Sequence, residues 1–399
     1  GGKPSGTSDP AGDDRRDDAM KKRWILFVVI GILLSGSKVS VYAESADQIS
    51  SISKEIKESI PLDEIDDRLK EGSDTGIPFS IRDYVENVCH GDSELSWDTI
   101  TQYISEGAIS QWDEHKTLVF RLLLYAVLSG IFLNLTGSLY EKQLGENGFH
   151  MLYFLVVTIL VSAFYGVFSV AKEVLFQVLS FMKVLVPAFS LALTWSSGSA
   201  TSFAFYQATL ATIGVAETVL YYLFLPMIQI YFLLRVLNPL SGGKFDKLAM
   251  LLESIVRVGT KIILGIMLGH QGIKGLLMPA LDQVKRSAVF RAAESLPGVG
   301  NVFGGVTDTI VGSGILIKSA IGVGGIIAIA LICLLPLLKL GLFTFTYRVV
   351  AAFSQPVADR RMVAVFQGSA DSGKLLFQLV FMVAVLFLLT LTIIIAATN

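Results

Sequence analysis

Between Ile49 and Leu69 the apolar residues recur at helical spacing: Ile49, Ile52, Ile56 and Ile60 up to Pro61, then Leu62, Ile65 and Leu69 before Gly72. A turn follows at Thr75–Pro78, Ile81, Tyr84, Val85 and Val88 mark a third helix, and Leu95–Ile109 carries a fourth. Beyond Thr117 the periodic pattern gives way to long uncharged runs. Leu122–Tyr140 is 19 residues, Asn147–Ala171 is 25, Ser319–Leu338 is 20 and Leu375–Asn399 is 25. Val184–Ala216 and Thr218–Leu234 are parted only by Glu217 and predict two crossings with a break at Ser196–Ser199. A helix needs about 20 apolar residues to cross roughly 30 Å of hydrocarbon. With Met250–Met278 added as a less regular helix, the pattern predicts about seven crossings.

The expected fold is therefore all-α: a polytopic transmembrane helix bundle (residues 117–399) carrying a small exported helical domain (residues 44–116). Composition agrees, since 52% of the chain is hydrophobic and 17% charged, which leaves too little polar surface for a water-soluble globule. The formal net charge of −2 hides a division. Residues 44–116 hold 18 acids and 6 bases, whereas residues 117–399 hold 11 acids and 19 bases. The two regions are built for different surroundings.

The amino-terminal 43 residues are read as targeting sequence. Residues 1–19 are a polar, Gly/Asp-rich leader. Met20, Lys21, Lys22 and Arg23 then open a basic segment, Trp24–Leu34 supplies a short apolar stretch, and Val41-Tyr42-Ala43 offers a small-residue cleavage site after Ala43. That makes residues 20–43 a signal peptide and delivers the acidic module across the membrane. Orientation of the rest meets a conflict. Basic residues cluster in three consecutive links, 235–247, 274–291 and 348–374, so strict alternation would export one of them against the positive-inside rule. One segment is re-entrant or one span is miscounted, and the stretch 297–325 is where that falls.

That stretch contains Pro297, Gly298, Gly300, Gly304, Gly305, Gly312 and Gly314, followed by Gly322, Gly324 and Gly325. Glycines let helices approach closely in lipid, and non-helical backbone at membrane depth survives beside a cavity or inside protein. Close packing and a re-entrant element that lines a path both fit. Two charged positions stand out beside it. Glu253, Arg257 and Lys261 lie at i, i+4 and i+8 on one face of an otherwise apolar helix, which suits an ion pair and a face toward a path, a partner or the headgroups. Glu217 stands alone in an apolar run of about fifty residues, with Arg121, Lys183 and Lys339 as candidate partners.

Catalytic chemistry finds no support. Residues 368–374 nearly spell a phosphate loop, GxxxxGK, but lack the following Ser/Thr and lead into an apolar helix instead of a βαβ unit. Neither HExxH nor GxSxG occurs, and Cys89 and Cys333 with four scattered histidines make no disulfide framework or dedicated metal site. The chain is expected to be no enzyme, to need no cofactor and to bind no nucleic acid.

The order of parts, together with Lys285–Phe290, Ser295–Gly300, Ser319–Gly325 and Cys333–Pro336, resembles the stage III sporulation protein AE family of endospore-forming, Bacillus-type bacteria. The resemblance covers residues 20–399. It implies a multi-pass protein of the mother-cell membrane around the forespore, with its exported domain in the intermembrane space. It also implies a place among the proteins of the stage III A sporulation complex, joined to stage II sporulation protein Q, in a secretion-like channel needed for late forespore gene expression and forespore integrity. Its partners would be the lipid bilayer, those proteins and, through glycine packing, further copies of itself. The competing functions are a self-sufficient small-solute permease and a non-conducting membrane scaffold.

Overall fold

The computed structural model describes residues 60–70, 77–90, 97–138, 142–197, 199–294 and 300–398. The leader, the signal segment with its cleavage site after Ala43, and Pro297 and Gly298 lie outside them. The described residues are helical, in chain order α1 (Leu62–Lys70), α2 (Ile81–His90), α3 (Trp97–Ser138), α4 (Lys142–Ser197), α5 (Ser199–Ala216), a π-helical segment (Glu217–Phe224), α6 (Leu225–Leu237), α7 (Asp246–Glu294), α8 (Gly300–Ser354) and α9 (Arg360–Thr398).

α1 follows its pattern closely. Leu62, Ile65 and Leu69 are buried at i, i+3 and i+7, with Asp63 and Glu64 in the first turn and Arg68 and Lys70 in the last, each sign at the dipole end that favours it. The buried Asp66 has a different task. Its carboxylate accepts from the Ser80 hydroxyl at 2.6 Å and from the Ile81 and Arg82 backbone N–H groups at 2.7 and 3.3 Å, so α1 supplies acceptors for the first amides of α2, whose own cap Ser80 accepts from the Asp83 N–H at 3.0 Å. Arg82 and Asp63 form a second tie between the two helices.

The long helices form the body. α8, 55 residues, packs most heavily on α9 and next on α4, with α3 and α2 completing its surround. α8 and α9 run antiparallel: Gly325 meets Leu391, Gly341 meets Phe377 and Gly373 meets Phe343. α4, 56 residues, is antiparallel to α8, with Leu185 against Gly325 and Phe189 against Gly322. Four helical stretches are long and apolar enough to cross a membrane: Asn147–Thr194, Tyr206–Leu237, Gly312–Ser354 and Arg360–Ile393. The chain is a multi-pass membrane protein.

Several boundaries differ from the sequence pattern. The uncharged run Asn147–Ala171 and the start of the next one belong to a single helix, because Lys172 and Glu173 point outward and leave the hydrogen-bond ladder intact. Residue 117 lies inside α3, which carries the polar stretch from Trp97 straight into the apolar one. α1 and α2 are not set apart either: Ile65, Leu69, Ile81 and Val85 join the same core as the membrane helices. Tyr84 and Ile81 of α2 rest on Gly324, and Gln177 of α4 donates to the Leu69 carbonyl at 3.4 Å.

The turns are tightly specified. Between α6 and α7, Asn238 accepts from the Phe245 N–H at 2.9 Å and donates to Asp246 at 2.6 Å, while Gly242 and Gly243 take positive φ values of 67° and 86° that side chains avoid. Between α8 and α9, Asp359 caps α9 by accepting from the Arg361 N–H at 2.7 Å.

Candidate functional site

Glu217 finds its partner on α4. The Lys183 ammonium donates to its carboxylate at 2.8 Å, with the two side chains 47% and 28% exposed. Arg121 and Lys339, the other candidates, make no described contact with it. The pair sits where the regular helix ends. From Glu217 the chain winds as a π-helix of eight residues, and the Leu225 N–H reaches back to the Leu220 carbonyl. Pro226 follows in the first turn of α6 and has no N–H for the usual ladder, which accounts for the widened turns before it. At the other end of this segment Phe224 presses on Gly259 of α7, where a Cβ would stand 2.7 Å from the ring. The segment is thus pinned to α4 by charge and to α7 by shape.

The stripe Glu253, Arg257 and Lys261 divides. Arg257 pairs with Glu253 along α7, and the Tyr231 hydroxyl of α6 donates to Glu253 at 3.2 Å, so this part faces a neighbouring helix of the same chain. Lys261 is exposed. Next to it Thr260 is buried and accepts from Gln378 of α9 at 3.2 Å. The outward face of α7 is apolar, with Leu251, Ile255, Val258, Ile262 and Ile266 exposed.

The glycine-rich stretch is helical wherever it is described. Gly300, Gly304, Gly305, Gly312 and Gly314 all lie in the continuous α8. Gly312 faces open space and Gly314 is buried. The tight contacts come about two turns further on. A Cβ at Gly322 would lie 2.6 Å from Ile395, and one at Gly325 would lie 2.7 Å from Leu185. These glycines seat α4 and α9 on two sides of α8, and Gly324 seats α2 on a third.

One polar group was not read from the sequence. Arg235, near the end of α6, stands 3.7 Å from Asp246 of α7 and 3.6 Å from Asp371 of α9, and Arg348 of α8 stands 3.8 Å from the same Asp371. Four helices are joined by two bases and two acids. Asp371 belongs to the stretch 368–374 that imitates a phosphate loop. There the chain is regular α9, and Gly368 and Gly373 are packing positions against Arg235 and Phe343. A sequence signal existed in the two basic links that contain Arg235 and Arg348, but nothing in it joined them to an acid so far along the chain. Lys318 was also passed over. It is fully buried on α8, between Gly314 and Gly322 on the same face. Among the described residues no group of His, Cys, Asp and Glu is arranged to hold a metal ion.

A family model for stage III sporulation protein AE matches residues 79–398, which takes in α2 to α9. The chain belongs to the stage III sporulation protein AE family. A curated relative, "Stage III sporulation protein AE" of Bacillus subtilis (strain 168), is 22% identical over 390 residues, covering 94% of this chain and 98% of the relative. No solved structure matches. The family-like segments have definite places: Lys285–Phe290 lies in α7, while Ser319–Gly325 is the face of α8 on which α2, α4 and α9 meet. Cys333 is buried further along α8, and Pro336 is accommodated inside that helix.

Proposed function

We propose that this chain is a membrane component of the multiprotein, secretion-like channel that links mother cell and forespore during sporulation, and that late forespore gene expression and forespore integrity depend on it. The observation that carries the reading is the family match across residues 79–398, which includes the four described stretches long and apolar enough to cross a membrane. A non-enzymatic role suits a helix bundle whose glycines and ion pairs serve packing between helices. The other stage III A proteins and, directly or through them, stage II sporulation protein Q are its partners in this reading. Its location is the mother-cell membrane around the forespore, with the residues before α3 in the intermembrane space.

The test is co-isolation. The chain, carrying a carboxyl-terminal affinity tag, is recovered from solubilised membranes of sporulating cells and its companions are identified by mass spectrometry. The reading expects the stage III A proteins in stoichiometric amounts, and loss of a late forespore reporter when the gene is deleted. Recovery of the chain alone, with solute uptake by vesicles that contain nothing else, would establish the permease instead.

A further inference from the structure

We propose that the face formed by α4 beyond Lys172 and by the adjoining α5 is the water-facing wall of the membrane domain, centred on the Lys183–Glu217 pair. The inference deepens the channel reading and rests on it for the purpose of the wall.

A single exposed stripe runs the length of α4 at helical spacing. In its first half the large exposed side chains are apolar (Met151, Phe154, Leu155, Val161 and Tyr165), the small Thr158, Ser162 and Ser169 stand between them, and none of the exposed residues from Met151 to Ser169 is charged. From Lys172 onward the same stripe presents Lys172, Glu173, Lys183 and Thr194, with Ser180 half-buried among them and Phe176 and Leu191 between. The helix does not break or turn at the change. A change of composition along one unbroken face reports a change of surroundings. Hydrocarbon accommodates the first set, whereas charged side chains within membrane helices face a bundle interior or a water-filled cavity.

α5 packs beside this half of α4 and has a matching face. Gln207, Ala211 and Gly214 of α5 and Thr218 of the π-helical segment that continues it are exposed, flanked by Val215 and Tyr222. Lys183 and Glu217 bridge the two stripes. One ammonium donor is used by Glu217, and the side chain remains nearly half exposed. One turn later Pro187 has no N–H for the Lys183 carbonyl, so a backbone acceptor opens on the same stripe. On the α5 side the π-helical turns begin at Glu217 and loosen the ladder there too. Thr194 and Thr218 donate to the Ser190 and Gly214 carbonyls of their own helices at 3.0 and 2.9 Å, but the charges of Lys172 and Glu173, the exposed ion pair and the freed carbonyl are groups that water satisfies and lipid does not.

The test uses membranes of sporulating cells that hold the complete assembly. Cys89 and Cys333 are replaced, and single cysteines are introduced as Ser180→Cys, Thr194→Cys, Gln207→Cys and Thr218→Cys. The lipid-facing comparison is Phe154→Cys, Val161→Cys, Tyr165→Cys and Val258→Cys. Four positions in each set guard against one variant that fails to fold. A small charged methanethiosulfonate should modify the wall positions at least about tenfold faster than the comparison set. Lys183→Gln, which leaves Glu217 uncompensated, should also raise the preference of the Ser180→Cys thiol for a cationic over an anionic reagent severalfold. Equal, slow modification of both sets places the face in lipid and overturns the proposal. So does protection that disappears when the chain is made without its companions, since protein then covers the face. In both cases co-isolation would leave assembly membership intact. Fast wall labelling with no companions recovered would leave the wall and remove the channel.

Discussion

At the scale of single residues, glycine decides where helices touch. A Cβ at Gly130 would collide with the Val357 carbonyl oxygen, a backbone atom of the α8–α9 turn that cannot rotate away. Gly130→Ala should therefore destabilise the protein by about 1–3 kcal/mol, as overpacking does. Gly166 has nothing within 4 Å, and Gly166→Ala should be neutral or gain up to ~1 kcal/mol from helix propensity. Thermal unfolding in detergent with both variants side by side checks the opposite signs, and a loss at both would refute the packing account. Asp66 supplies a second residue-scale prediction. Asp66→Ala removes the carboxylate that accepts from the first two amides of α2, leaves the Ser80 cap in place, and should cost about 1–2 kcal/mol. Hydrogen exchange of the Ile81 and Arg82 amides should speed up before exchange in the core of α8 does. The spacing of Leu62, Ile65 and Leu69 announced α1, but the role of Asp66 was hidden. Its partners lie 14–16 residues away, beyond any local pattern.

At the scale of elements, hydropathy and helix continuity are separate properties. Charged residues ended the uncharged runs in the sequence, yet Lys172 and Glu173 interrupt nothing, because a side chain on the outer face leaves the backbone bonds unchanged. Backbone chemistry is what marks element ends here. The Ser196–Ser199 break coincides with the junction of α4 and α5, and the two positive-φ glycines stand in the turn before α7. Glu217 was legible as a buried-charge problem, and three cations were named for it. The choice of Lys183 needed the antiparallel register of α4 and α5, which sequence spacing does not supply. The Arg235, Arg348, Asp246 and Asp371 group was illegible for the same reason. Its contacts are loose, at 3.6–3.8 Å, and partly solvated, with side-chain exposures of 25–54%. Asp371→Asn should accordingly cost no more than about 1–2 kcal/mol and should remove part of the salt dependence of unfolding. The measurement is the unfolding midpoint in low and high salt. An unchanged salt response in the variant would show that the group is not an electrostatic tie.

At the scale of the whole molecule, an apolar helix has two ways to escape water, and hydropathy does not tell them apart. About seven crossings were expected, and four described stretches are long and apolar enough. The counts part because the runs from Asn147 and Val184 share α4, and because the expected crossings at 122–140 and 250–278 are not among the four described stretches; α8 is in both counts, and it is enclosed as well as apolar. Between Ser313 and Cys333 it is buried on nearly every side by other helices of the chain, so its apolar residues serve enclosure as much as lipid contact. The acidic module follows the same logic from the opposite direction. Its composition suggested a small domain standing by itself in water, and among the described residues its charges other than Asp66 do point outward. Its apolar residues, however, find their partners elsewhere: α1 packs on α4 with Ile65 and Leu69 in the common core, Ile81 and Tyr84 lie against Gly324 of α8, and α3 carries it without a break past residue 117. Among the described residues, α1, α2 and the first 20 residues of α3 leave their apolar side chains to partners outside the fragment, and so few residues bury too little surface to offset the entropy of ordering them. Residues 44–116 produced alone should therefore show a circular dichroism spectrum with little helix and no cooperative melt, although in the intact chain a Tyr84→Cys, Gly324→Cys pair should form a disulfide under mild oxidation. A cooperatively folded fragment would mean that the module carries its own core, and that its seat on α8 is an interface between two independent parts.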